Sequence, residues 1–379
     1  MIGIGNLRCG LHIPVYPPSP SLVFFFMPPR PSLLSSWLPK LSKLARAQEW
    51  WEYKLAPILA TAYATALITA APLSNLVPGL LFLLASLIVG ATYVSLLNDF
   101  TDRAEDQAAG KPNRLASASP GLVRGLFGLC LGSGLLFGWY ARRLSLLAAL
   151  LYLGAWVAYT LYSLPPFRWK TRGALGLLAD AAGAHLFPQL FTVTLISAWL
   201  GRPVPLPWLL LVGVWSLACG GRNIIWHQLH DEENDVRTQT PTFVVRWGAL
   251  RARHLAERIL FPVEVAAFGG LLWLGQAPLA WLALLVYGGL VWFRLRQWGI
   301  VPVVAAPRAK YQLWLNEYYE GLYPLAMLLT AAWPLRAVDA GLLIVHGLLF
   351  SQRLRQTALT LWAGALTLGA RLRRVWRLR

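Results

Sequence analysis

The chain has 379 residues, 57% of them hydrophobic and only 13% charged, with a mean hydropathy of +0.52. This composition excludes a large soluble enzyme and predicts an all-α, polytopic membrane protein. Lys and Arg outnumber Asp and Glu, 34 to 16, for a net charge of +18, and where that excess lies along the chain decides between nucleic acid, anionic lipid and membrane loops as its cause.

Residues 1–48 are broken by Pro14, Pro17, Pro18, Pro20, Pro28, Pro29, Pro31 and Pro39, which predicts a disordered arm. The apolar patch at 22–27 is too short to span and lacks a small-residue cleavage site, so no secretory signal is expected, and Met27 is an alternative start. Between Ser35 and Trp51, apolar Trp37, Leu38, Leu41 and Leu44 alternate with Lys40, Lys43 and Arg46; this reads as an interfacial amphipathic helix or a basic linker.

A membrane domain is expected over 49–335, with nine spans at 55–73, 77–97, 122–140, 144–164, 175–200, 208–229, 259–274, 279–293 and 319–335. The loops after the even-numbered spans are rich in Arg and Lys. The opposite loops hold only Arg142, Arg143 and Arg202, with Arg336 after the ninth span. This asymmetry predicts that the even-numbered exits face the cytoplasm, in an inner membrane, and explains most of the charge without nucleic acid. Residues 336–379 form a weaker apolar hairpin, 338–350 and 357–370, and a basic tail suited to an anionic leaflet. Cys9, Cys130 and Cys219 show no paired or metal-ligand spacing.

Chemistry concentrates at three of the basic exits. After the second span the chain reads L-N-D-F-T-D-R-A-E-D-Q-A-A-G-K-P-N-R, from Leu97 to Arg114. On a continuing helix Asp99, Asp102 and Asp106 are spaced i, i+3, i+7, which stacks three carboxylates on one face beside Asn98. Like charges so placed need cations among them, and hard Mg²⁺ shares oxygen ligands with substrate phosphates. A solvated acidic loop is the alternative. After the sixth span Asp231 and Asp235 repeat the i, i+4 spacing, either as a second carboxylate set or paired with Arg222 or Arg237. After the fourth, the run from Tyr162 to Gly173 ends its helix at Pro165 and Pro166 and places Arg168, Lys170 and Arg172 on a short tether, where they could clamp phosphate or simply fix topology.

Taken together, N-D-x-x-D-x-x-x-D at Asn98 to Asp106, Y-S-x-P-P-x-R-x-K-x-R-G at Tyr162 to Gly173 and D-x-x-x-D at Asp231 to Asp235 resemble the UbiA superfamily of intramembrane aromatic and polyprenyl prenyltransferases, over roughly residues 49–335. The resemblance implies a nine-helix bundle around a cavity, here with an extra C-terminal hairpin. It also implies Mg²⁺ as cofactor, an isoprenyl diphosphate donor, a lipophilic acceptor, membrane lipid as surroundings and no obligate protein partner. The implied chemistry is departure of diphosphate, an allylic carbocation and attack by the acceptor. Asn98, Asp99, Asp102, Asp106, Asp231 and Asp235 would be the metal set, with Asp102 and Asp231 the catalytic carboxylates. Lys111, Arg114, Tyr162, Arg168, Lys170, Arg222 and His227 would contact substrate, and Asp180, His185 and the run Asn316 to Glu320 would line the acceptor pocket. The chain departs from the family pattern at G-K-P-N-R after the first motif, at T-Q-T-P-T after the second and at His227, Gln228 and His230, which leaves the acceptor open. A transporter or lipid-binding protein is the rival class, against which the one-sided charges and the lack of a visible repeat speak.

Overall fold

The structure, a computed structural model, describes residues 42–377. Within them every predicted apolar run lies in a helix, because a backbone in lipid must satisfy its own hydrogen bonds. In chain order the long helices are α1 (51–68), α2 (Val77–Thr101), α3 (Pro120–Leu144), α4 (Leu146–Ser163), α5 (Ala174–Leu200), α6 (Leu206–His230), α7 (Ala249–Gly275), α8 (Pro278–Trp298) and α9 (318–331). Among the described residues, α2 to α8 are each long and apolar enough to cross a membrane. α1 and α9 correspond to predicted spans one and nine but are shorter, and they pack against each other. α1 supplies the centre, with every residue from Ala56 to Ala66 buried; its many alanines let neighbours approach closely.

Four helices share one device. Trp51–Leu55, Ala182–Leu186, Ala256–Leu260 and Tyr318–Leu322 are wide π-helical turns, and each is followed two residues on by a proline: Pro57, Pro188, Pro262 and Pro324. A proline inside a helix removes one N–H and collides with the carbonyl four residues back, and a widened turn absorbs both effects. Lys54, His185 and Glu320 all ride on such turns.

The C-terminal residues form α10 (Ala337–Leu349) and α11 (Ser351–Arg377), bent by 85° at their junction. They are tied to α1 by polar bonds. Glu52 caps the start of α11, its two oxygens accepting from Gln352 N and Arg353 N at 2.8 Å each; Trp51 Nε1 donates to Leu349 O at 2.8 Å; and Tyr63 Oη lies 3.2 Å from His346 Nδ1. A two-stranded parallel pair, Val301–Val303 with Tyr311–Leu313, lies between α8 and α9 and was not expected from the sequence. The predicted arm falls outside the described residues except at its end. There Arg46, at φ 55°, introduces the short helix Ala47–Trp50, so no single amphipathic helix runs through to Trp51.

Candidate active site

α2 outlasts its apolar run and breaks for one residue at Asp102 before resuming as Arg103–Ala109. The face expected to carry three aspartates is therefore bent at its middle carboxylate. Backbone bonds carry through the break: Asp102 N donates to Asn98 O at 2.9 Å and Asp106 N to Asp102 O at 2.8 Å. Gly110, at φ 67°, then turns the chain so that Lys111 N donates back to Asp106 O at 2.8 Å. The second motif is built the same way at a constant offset along the chain. α6 ends at His230, Asp231 is the break and Glu232–Arg237 resumes the helix. Asp231 N donates to His227 O at 3.0 Å, Asp235 N to Asp231 O at 2.9 Å and Thr240 N to Asp235 O at 2.8 Å, with Gln239 at φ 53° in the place of Gly110. The steadying side chain recurs too, since Asn113 Nδ2 donates to Asp106 Oδ2 at 2.8 Å and Thr242 Oγ1 to Asp235 Oδ2 at 3.2 Å.

The two hairpins meet. Lys111 Nζ lies 3.5 Å from Asp231 Oδ2, and His227 Nε2 lies 3.8 Å from the same oxygen. Lys170 donates to Asp102 and, at 3.1 Å, to Glu105, while Arg168 donates to Glu105 and lies 3.8 Å from Asp102. The tether that aims Lys170 depends on Gly176 at the start of α5, where a Cβ would stand 2.5 Å from Trp169 O. Arg246 then fastens this tether to the second motif, its Nε donating to Thr171 O and Pro241 O at 3.1 Å each. Tyr162 lies within electrostatic reach of Asp102 and Asp235. Burial pushes the Asp235 carboxyl above its ordinary range; the Thr242 hydroxyl opposes this and the neighbouring Asp231 charge adds to it.

Asp99 is only 2% exposed and faces Arg46 Nη1 at 3.2 Å and Arg114 Nη1 at 3.9 Å. Its Oδ2 is buried and accepts no hydrogen bond, so one lone-pair set of a buried carboxylate stands open. Glu49 bridges the same two arginines, with Arg114 Nη2 at 2.7 Å and Arg46 Nε at 2.8 Å. Burial alone would raise the Glu49 carboxyl, but its bond to Arg46 and the two guanidinium charges outweigh that and hold it below the ordinary range. Asn98, whose Oδ1 accepts from Ser163 Oγ at 2.6 Å, stands where this polar group meets a cavity of about 240 Å³ between α1, α2, α4 and α5. Aromatic rings, among them Tyr93, Tyr152, Trp156 and Phe187, line the cavity, and Lys54 enters it from α1.

Arg222 is the expected substrate contact that the structure places elsewhere. It is fully buried in α6 and paired with Glu264 of α7, Nε to Oε2 at 2.6 Å and Nη2 to Oε1 at 2.9 Å, and it also donates to Asn316 Oδ1 and Val304 O. A carboxylate directed back into the bundle claims this guanidinium, so its place is structural. His185 pairs with Lys54, Nε2 to Nζ at 2.6 Å, and with Asn316, Tyr319 and Glu320 it lines a second space of only about 30 Å³. Sequence reasoning did not single out Arg46, Glu49, Glu105 or Arg246. Glu105 could have been found, since it lies one turn from Asp102 inside the first motif.

Among the described residues no three carboxylate, imidazole or thiol groups converge on one point; Asp99, Asp102 and Asp231 each lie against a cation, Asp106 against the Asn113 amide and Asp235 against the Thr242 hydroxyl. The chain matches the profile of the UbiA prenyltransferase family over residues 58–316. In fold it is similar to a UbiA homolog from Archaeoglobus fulgidus bound to DMAPP and Mg²⁺, at 17% identity and TM-score 0.52, over 78% of this chain and 99% of that one. A UbiA homolog from the same organism bound to GPP and Mg²⁺ matches at 16% identity and TM-score 0.46, over 86% and 98%. No curated protein matches the chain. With the family profile covering well over half of its length, this multi-pass membrane chain belongs to the UbiA prenyltransferase family.

Proposed function

We propose that the chain transfers an isoprenyl group from an isoprenyl diphosphate to a lipophilic acceptor, with Mg²⁺, at the mouth of the apolar cavity. The observation that carries this reading is the contact of Lys111 with Asp231, which joins two carboxylate hairpins beside a buried, half-open Asp99 and an apolar space. Mg²⁺ takes one or two carboxylates and completes its shell with phosphate oxygens and water, so a site without three converging carboxylates suits a metal that arrives with its phosphate. Asp99, Asp102, Asp106, Asp231 and Asp235 would hold it, with Asn98 beside them. When bound, the metal would supply Lewis-acid neutralisation and orientation of the diphosphate.

The chain's own residues do the remainder. Lys111, Arg114, Arg168 and Lys170 are preset around the carboxylates and can turn to phosphate oxygens as the carbon–oxygen bond breaks and its electron pair leaves with the diphosphate. Tyr162 closes the same rim. The cavity keeps water from the allylic cation, and aromatic faces lining it can stabilise the charge until the acceptor attacks. The motif end of the bundle faces the cytoplasm in this reading, as its basic loops support.

Purified protein in nanodiscs tests the proposal through pyrophosphate release, with isoprenyl diphosphates of several lengths, with and without Mg²⁺, and with a membrane lipid extract as acceptor source. The expected result is Mg²⁺-dependent release that needs the extract and is lost in Asp102→Ala. Failure to bind or turn over any donor would overturn the reading.

A further inference from the structure

Three glycines pack against rings that line the cavity. Trp156 of α4 lies against Gly134 of α3, where a Cβ would meet the indole Cη2 and Cζ2 at 2.5 Å. Tyr159 of α4 lies against Gly183 of α5, where a Cβ would come within 2.9 Å of the ring, and Phe187 of α5 lies against Gly154 of α4, where a Cβ would come within 3.1 Å, so α4 and α5 each provide a ring and the notch that seats the other's ring. All three rings line the cavity. The Gly134 contact is the tightest and leaves the indole no slack toward α3. On another side Tyr93 stacks on Trp156 with ring centroids 4.6 Å apart, and its hydroxyl is fixed by a 2.9 Å hydrogen bond to Thr160 Oγ1. The remaining free volume next to the indole is the cavity. On a third side Tyr152 meets the indole edge-on, with ring centroids 6.0 Å apart.

We propose that Gly134, acting through Trp156, sets the length of isoprenyl chain the cavity accepts. This rests on the donor site proposed above. The cavity of about 240 Å³ runs from the polar mouth at Arg46, Glu49 and Asn98 to this aromatic wall, so moving the wall changes the room left for the tail. Gly134 is a positioning residue, since it touches the ring and not the donor. A methyl group at Gly134 pushes the indole into the cavity and shortens it. A smaller side chain at 156 lengthens it.

The test compares dimethylallyl, geranyl, farnesyl and geranylgeranyl diphosphates, read as binding constants with Mg²⁺, so that no acceptor is needed, and again as pyrophosphate release. The proteins are the wild type, Gly134→Ala, Trp156→Leu and the double variant. Gly134→Ala should move the geranyl-to-dimethylallyl ratio toward the shorter donor by roughly tenfold, the order that a methylene is worth in a tight apolar pocket. Trp156→Leu should move preference toward farnesyl, and the double variant should follow Trp156→Leu, because the ring that Gly134→Ala displaces is gone. If Gly134→Ala does not fold, Trp156→Leu and the double variant still decide. Unchanged ratios in the folded variants overturn the inference alone. A protein that binds no donor overturns the donor site and this inference with it.

Discussion

Replacing Arg222 by alanine separates a structural role from a substrate contact. Both Arg222 and Glu264 are at 0% side-chain exposure, and the guanidinium makes two bonds to the carboxylate plus one each to Asn316 and Val304. Removing one partner leaves Glu264 charged and uncompensated between α6 and α7, at a cost of about 3–5 kcal/mol. Removing both partners for apolar groups of similar volume is far milder and often neutral. Arg222→Ala should therefore melt well below the wild type in a detergent thermal-shift assay, while Arg222→Met with Glu264→Leu should recover most of the loss. Donor affinity, measured on whatever fraction of either protein remains folded, should stay within about twofold, less than 0.5 kcal/mol. Unchanged melting with abolished donor binding would refute this reasoning and return Arg222 to the site.

Asp99→Ala and Asp235→Ala should each abolish Mg²⁺-dependent pyrophosphate release while size-exclusion profiles stay those of the wild type; normal turnover in both would sink the metal assignment. The raised Asp235 carboxyl gives a pH dependence of definite sign. Its charged form costs stability above its folded-state pKa, a cost relieved as pH falls toward the ordinary carboxylate range, whereas metal binding needs the charged form and is lost as pH falls. Thr242→Val removes the opposing hydrogen bond, so the acid limb of donor binding should move to higher pH, and a limb that stays in place would refute the link. Glu52→Gln weakens the cap on α11 by about 1 kcal/mol, which should show as faster trypsin cleavage at exposed Arg355 with donor binding unchanged.

Hydropathy placed a helix at each of the nine predicted runs, seven of which are long and apolar enough to cross a membrane, because the requirement that a backbone in lipid bond to itself leaves a long apolar run no other structure. It misjudged their ends where charge and helix overlap: α7 begins at Ala249, ahead of its apolar run, and carries Arg251 and Arg253 as its first turns. The three site motifs were legible because each lies on a short local stretch. The pairings of Asp99 with Arg46, Arg222 with Glu264 and Lys54 with His185 were not, since each joins residues far apart in the chain that leave no period in the sequence. The glycine notches were hidden for the same reason, because a glycine facing a ring on the next helix looks in sequence like any other small residue in a membrane span.

The two aspartate hairpins are copies in their hydrogen bonding and not in their letters. Each asks the sequence for an aspartate at the helix break, another one turn on, a residue able to adopt the left-handed turn, and a polar side chain that reaches back. Gly110 and Gln239 interchange at the third of these places, Asn113 and Thr242 at the fourth, and the residues between are free to differ. A likeness confined to hydrogen bonding is silent to any letter-by-letter comparison. The chain therefore reads as unrepeated while its candidate site has two matching halves.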